Sequence, residues 1–296
     1  MRYAFFKGCF LPVRLPHIEK ISRNVLEELG VRLCDVEGFS CCPEPVGFYS
    51  NDKLTGTAIA ARNISLAEDE GIDLLTLCNG CTYTLKQVNS ALKENDELKT
   101  RVNEILADTD HQFKGTIKIK HFATVLVEDL GLERVAKKVV NPIEGLKVAG
   151  HTGCHIVSPP QIMRFDDPFD PVVLDRMVEV LGAEPADYEF KTLCCGWTLT
   201  NYGDREAAYK LLGAKLGAMR DARSDCIATI CPQCFYQFDT GQALAVRKLN
   251  LGFKLPVLFY LQLLALSMGY SLEDIGYRRH RMRDPVFELK LNEAMA

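Results

Sequence analysis

The chain has 296 residues, and at about 150 residues per domain this favours two domains, each long enough to bury its own core. Apolar residues at 47% and charged residues at 25% exclude a disordered, collagen-like or coiled-coil chain, and a formal charge of −4 argues against a general nucleic-acid binder. Twelve cysteines stand out: they are too dense for an average cytosolic protein and too sparse for a small disulfide scaffold.

The apolar stretch ahead of Lys7 is shorter than the core of a secretory signal, so the expectation is a chain that starts at Met1 and works in the cytoplasm. In that reducing pool, thiols serve as metal ligands or redox groups rather than as structural bridges. Residues 3–6 read as a strand, and residues 16–29 as a helix closed by Gly30. Residues 31–36 form a second strand leading into a Cys41-Cys42 loop. Helical periodicity over 52–70 stops at Gly71, residues 72–77 are a buried strand, and 82–92 are a helix. Residues 93–115 are charged and read as a solvated surface helix. Asn141-Pro142-Ile143-Glu144-Gly145 has turn chemistry, which places a domain boundary near residue 143 and divides the chain into 1–143 and 144–296.

The second half reads alike: strand 147–149, helix 171–181, a Cys194-Cys195 loop, helix 204–223, strand 227–230 and helix 235–249. Residues 255–269 form the longest apolar run. They contain Pro256 and Gln262, fall short of the roughly 20 residues of a membrane span, and read as a buried helix. The basic run Tyr277-Arg278-Arg279-His280-Arg281-Met282-Arg283 is either a solvated tail or a docking segment. Alternating strands and helices imply an α/β fold with a small, largely parallel sheet in each half and sites at the carboxyl ends of the strands.

Cysteine spacing then shows a duplication. Cys9, the pair Cys41-Cys42 and Cys78-Asn79-Gly80-Cys81 recur in the same order as Cys154, Cys194-Cys195 and Cys231-Pro232-Gln233-Cys234. Flanking residues repeat too. Phe6-Lys7-Gly8-Cys9 answers His151-Thr152-Gly153-Cys154, and Tyr83 and Tyr236 each follow a C-x-x-C by two residues. Cys34 and Cys226 have no partners in the repeat and read as core or incidental thiols. Five thiols per half exceed the four of a zinc site or a cubane cluster. The fifth is either a redox-active bystander or a ligand to an irregular cluster.

The pattern resembles the duplicated CCG domain, C-x(31 to 39)-CC-x(35 to 36)-C-x-x-C, which binds an iron–sulfur cluster. In length and order the whole chain resembles the family of catalytic B subunits of heterodisulfide reductase from methanogens. Other CCG oxidoreductases, such as thiol:fumarate reductase and quinone-linked types, pass electrons to different acceptors and stand as the alternative. The resemblance implies two tandem CCG domains related by a pseudo-twofold axis and two noncubane [4Fe-4S] clusters. One would be held by Cys9, Cys41, Cys42, Cys78 and Cys81, the other by Cys154, Cys194, Cys195, Cys231 and Cys234. It implies reduction of the CoM-S-S-CoB heterodisulfide to its two thiols, the last step of methanogenesis, with one electron from each cluster. The implied partners are the iron–sulfur C subunit of heterodisulfide reductase, serving as electron donor, and its flavin-containing A subunit, backed by a hydrogenase or formate dehydrogenase. The chain lacks the C-x-x-C-x-x-C-x-x-x-C run of an added ferredoxin-type domain, and Pro43 stands where the family's name expects the glycine present at Gly196. The substrate's anionic groups need cationic or donor partners. Lys7, Arg14, His151 and His155 are the candidates, with His17 and Arg164 behind them.

Overall fold

Each half starts from an apolar strand flanked in the sheet by strands that come later in the chain. In the computed structural model, which describes residues 1–295, the first half runs β1 (Arg2–Phe6), α1 (Phe10–Arg14), α2 (Pro16–Glu28), β2 (Arg32–Cys34), a π-helical turn (Pro45–Tyr49), α3 (Lys53–Asp69), β3 (Leu74–Thr76) and α4 (Asn79–Glu94). It continues through α5 (Asp96–Ala107), β4 (Ile119–His121), α6 (Phe122–Thr124) with a π-helical extension (Val125–Leu130), and α7 (Leu132–Ala136). The second half comprises β5 (Lys147–His151), α8 (Pro160–Met163), α9 (Val173–Glu179), β6 (Glu184–Pro185), α10 (Trp197–Tyr202), α11 (Arg205–Asp221), β7 (Cys226–Thr229) and α12 (Pro232–Tyr236). A π-helical turn (Gln237–Gly241) joins α12 to α13 (Gln242–Lys248), followed by β8 (Val257–Phe259), α14 (Tyr260–Ser267) and α15 (Pro285–Ala294).

Both sheets are four-stranded and wholly parallel, in the matching orders β2-β1-β3-β4 and β6-β5-β7-β8. Central strands β3 and β7 are buried along their whole length, as parallel sheets covered on both faces require. The fourth strands β4 and β8 and the two-residue β6 were not legible in the sequence. The run 255–269, expected as one buried helix, divides into β8 and α14. An all-apolar stretch carries no period, and the strand forms because Ile227 N donates to Pro256 O at 2.8 Å while Gln262 Oε1 caps the following helix on Phe259 N at 2.9 Å. Helix α5 supplies the middle of the surface helix expected over 93–115, residues 93–94 ending α4 and 108–115 being non-helical, and it buries Val102 and Leu106 on its inner side. Both helices after the C-x-x-C motifs start three residues earlier than expected, at Asn79 and Pro232, so Cys78 and Cys231 are the caps of α4 and α12 and Cys81 and Cys234 fall in the first turn.

The basic run is not a free tail. Tyr277, His280 and Met282 pack inward while Arg278, Arg279, Arg281 and Arg283 face out, and His280 lies 3.0 Å from Val257 O and 2.9 Å from Gln262 Nε2. Burial, with His17 5.5 Å away ring to ring, pushes His280 from 6.5 down to about 3. The unfolded chain therefore takes up a proton below pH 6.5 that the folded chain refuses. Stability is full above pH 6.5 and is lost as the pH falls toward 3, by about 2 kcal/mol at pH 5 from this group. Urea unfolding at pH 7 and pH 5 measures this loss, which H280Q should reduce; equal pH sensitivity in both proteins would refute the assignment.

Candidate metal centre

The strand ends bring the repeated cysteines together. Gly8 (φ +64°) and Gly153 (φ +82°) turn the chain from β1 and β5 into Cys9 and Cys154. A Cβ at Gly8 would stand 3.1 Å from Cys81 Sγ, and one at Gly153 would stand 2.7 Å from Asn79 Nδ2, so backbone conformation and space both call for glycine. The two halves hold each other's turns. Asn79 Nδ2, inside the first C-x-x-C, donates to Thr152 O at 2.8 Å, while Pro232 and Gln233 of the second line the cavity around Cys9.

The ten thiols form one unbroken series of contacts. It runs Cys9–Cys41–Cys42–Cys81–Cys78 in the first half, crosses from Cys78 to Cys231, and continues Cys234–Cys195–Cys194–Cys154 in the second. Its middle, from Cys42 to Cys195, is buried; Cys9 and Cys41 are exposed at one end, and Cys194 and Cys154 are partly exposed at the other. All five cysteines of the first half line one cavity of about 60 Å³.

Proximity divides the thiols into donors and acceptors. The neighbouring thiols of Cys41 and Cys81 hold Cys42 down at about 6, and those of Cys154 and Cys195 hold Cys194 well below the usual thiol range. Burial pushes Cys231 up, but contacts with Cys234 and Cys78 outweigh it. The neighbours that keep their protons, including Cys9, Cys81, Cys154 and Cys234, are pushed up. Each half thus gathers crowded thiols with at least one held below the usual thiol range, a soft donor set of the kind that binds thiophilic metals, iron–sulfur clusters among them.

Equivalent positions on the long helices α3 and α11 clamp the vicinal pairs. Asn63 and Lys215 each lie eleven residues beyond the capping aspartates Asp52 and Asp204. Asn63 Nδ2 donates to Cys41 O at 3.0 Å and its Oδ1 accepts from Ser40 N at 2.9 Å. Lys215, fully buried, donates to Phe190 O, Lys191 O and Leu193 O at 2.7, 2.9 and 2.6 Å. Sequence reasoning missed both residues, although their matched spacing from the caps was a readable signal. After the pairs the loops diverge as the proline required: Gly196 takes φ +85° and its N–H approaches Cys194 Sγ at 3.4 Å, whereas Pro43 has no N–H to offer.

The two unmatched cysteines lie outside the thiol series. Cys226 is buried within β7, where its charged neighbours are Asp225 and Lys290, and Cys34 lies on edge strand β2 opposite Ala4. The four sequence-derived anion partners are dispersed. Lys7 borders the first cysteine cavity and pairs with Asp35 at 3.2 Å. Arg14 lines a separate cleft of about 310 Å³ with His17, Arg279 and Arg281. His155 stacks on Tyr83 of the other half, ring centroids 5.2 Å apart. His151 is 1% exposed and faces sulfur rather than solvent, within 4.8 Å of Cys195 and Cys234. Arg164 is exposed at φ +47°. Over the junction of the halves, Phe10, Trp197 and Tyr236 form a mutual edge-to-face cluster with centroids 5.3–5.5 Å apart. Among the described residues no helix is long and apolar enough to cross a membrane.

Comparison with known proteins agrees with this duplication. The cysteine-rich CCG domain family matches residues 3–86 and again residues 148–239. The chain is 38% identical over 296 residues, covering all of itself and 98% of the relative, to the B subunit of the Ferredoxin/F(420)H(2)-dependent CoB-CoM heterodisulfide reductase of Methanosarcina acetivorans. It is 29% identical over 274 residues, 93% of this chain and 94% of the other, to the 8-methylmenaquinol:fumarate reductase membrane anchor subunit of Wolinella succinogenes. A hypothetical protein from Helicobacter pylori of known crystal structure shares the fold, with a TM-score of 0.75 at 15% identity over 96% of this chain and 52% of that one, so this chain spans about half of that protein. With two parallel sheets, each delivering one set of repeated cysteines to a common junction, the chain belongs to the duplicated cysteine-rich CCG-domain family, among the relatives of the heterodisulfide reductase B subunits.

Proposed function

We propose that the chain is the catalytic subunit that reduces the CoM-S-S-CoB heterodisulfide, holding one noncubane [4Fe-4S] cluster on each five-cysteine set of its two domains, 1–143 and 144–296. The observation that carries this reading is the continuous series of ten thiols joined through Cys78 and Cys231, which supports two metal sites lying side by side. Bound there, the clusters would supply one electron each, matching the two electrons and two protons that convert one disulfide into two thiols. The protein's share is placement. The glycine turns and helix-start cysteines set the donors, Asn63 and Lys215 hold the vicinal loops, and the Phe10–Trp197–Tyr236 cluster packs the two halves together. Lys7, at the mouth of the first cavity, is the cation best placed to meet an anionic arm of the substrate. A protein of this kind takes its electrons from separate iron–sulfur (C) and flavin (A) subunits within a cytoplasmic complex. Protein purified without oxygen should carry about eight irons and eight sulfides per chain and reduce the heterodisulfide from a low-potential dye. Zinc in both sites would overturn the proposal, and full iron with turnover only of a quinol or fumarate couple would assign the chain to the alternative class.

A further inference from the structure

The two halves are built alike, yet the strand residue before each glycine turn differs. β1 ends on Phe6 and β5 on His151, each three residues ahead of the first cysteine of its set and each 1% exposed. Neither Nδ1 nor Nε2 of His151 has a hydrogen-bond partner, and a ring nitrogen lies within 4.8 Å of the sulfurs of Cys195 and Cys234. Phe238 packs against the ring at 4.9 Å between centroids. The neighbouring threonines repeat the contrast. Thr76 shares a 2.6 Å hydroxyl hydrogen bond with Thr82, whereas Thr229, paired in register with His151, leaves its Oγ1 without a partner because Phe235 replaces Thr82. Unpartnered buried polar groups are costly, and here the His151 ring nitrogens and Thr229 Oγ1 lie together on paired strand ends beside the second cysteine set.

We infer that His151 is a positioning residue for the second centre, donating an N–H hydrogen bond to a sulfur held by the Cys154, Cys194, Cys195, Cys231 and Cys234 set, so that the two centres differ in reduction potential. An imidazole carries at least one N–H in either protonation state, and no protein acceptor takes that of His151. A donor to cluster sulfur stabilises the more negative, reduced state and raises the potential; Phe6 offers the first site no such donor. His121, at the end of β4, also has an unpartnered Nε2 while its Nδ1 accepts from Ala123 N at 3.3 Å, but the cysteine whose charge acts on it is Cys231 of the second set, so it supplies no matching donor at the first. Electrons entering the pair therefore settle first on the second centre.

The inference rests on the two-cluster reading, and iron content separates the two. In anaerobic potentiometric titration of the full chain followed by electron paramagnetic resonance, wild type should show two midpoint potentials. H151F should lower the upper one toward the lower with iron unchanged, H151Q, which keeps an N–H, should preserve the split, and F6H should raise the lower one. Full iron with both potentials unmoved in H151F and F6H overturns the inference alone. Loss of half the iron in both H151F and H151Q overturns it in favour of direct ligation. Wild type without iron overturns it together with the two-cluster reading.

Discussion

K215M is expected to destabilise the protein by about 3–5 kcal/mol and to release the Cys194–Cys195 loop. The ammonium satisfies three carbonyls on the approach to that loop, and methionine, of similar length, would fill the space yet leave all three buried and unpaired. Its charge has a second use. Burial brings Lys215 down from 10.5 to about 8, while the second set's thiols, Cys195 and Cys234 foremost, pull it back up, so this buried cation and that set act on one another. N63A, at the matching position of the first half, removes a neutral side chain with two shorter-reach bonds and should cost about 1–2 kcal/mol. Denaturant unfolding of the two variants measures the difference; a K215M protein within about 1 kcal/mol of wild type would contradict the clamp.

C195A should cost the second half its metal, dropping iron from about eight to about four per chain, with heterodisulfide reduction falling more than about 100-fold. C42A should do the same to the first half, because both residues are the buried members of their vicinal pairs and contact the C-x-x-C thiols Cys234 and Cys81. C226A is the matched control. That thiol is fully buried but stands apart from the series, so its loss leaves a small core cavity worth about 1 kcal/mol and should leave iron untouched. Iron analysis beside activity reads both effects, and full iron in C195A, or loss of iron in C226A, would break the assignment of five ligands per half.

Much of the fold is legible in the order of residues. The central strands β1, β3, β5 and β7 and the long helices α2, α3, α4 and α11 follow from apolar runs, proline starts and glycine stops, all of them local signals. What escaped was decided by partners distant in sequence. β4, β6 and β8 have two or three residues each and exist because a neighbouring strand offers its hydrogen bonds. The tail could not be placed without knowing that His280 would meet Val257 and Gln262. Similarly, His151 looked like a substrate contact because it flanks Cys154, and only the burial of the β5 end shows that it faces sulfur.

By itself, then, the sequence determined the duplication, the membership of each cysteine set and the class of chemistry, because the order C, CC, C-x-x-C is carried by the chain and survives any arrangement in space. Tertiary structure alone decided that Cys78 meets Cys231, that Asn79 locks the other half's turn, and that a lysine and a histidine stand beside the second set where an asparagine and a phenylalanine stand at the first. These contacts span tens to hundreds of residues of chain, and they depend on how two sheets dock, which no local period or spacing encodes.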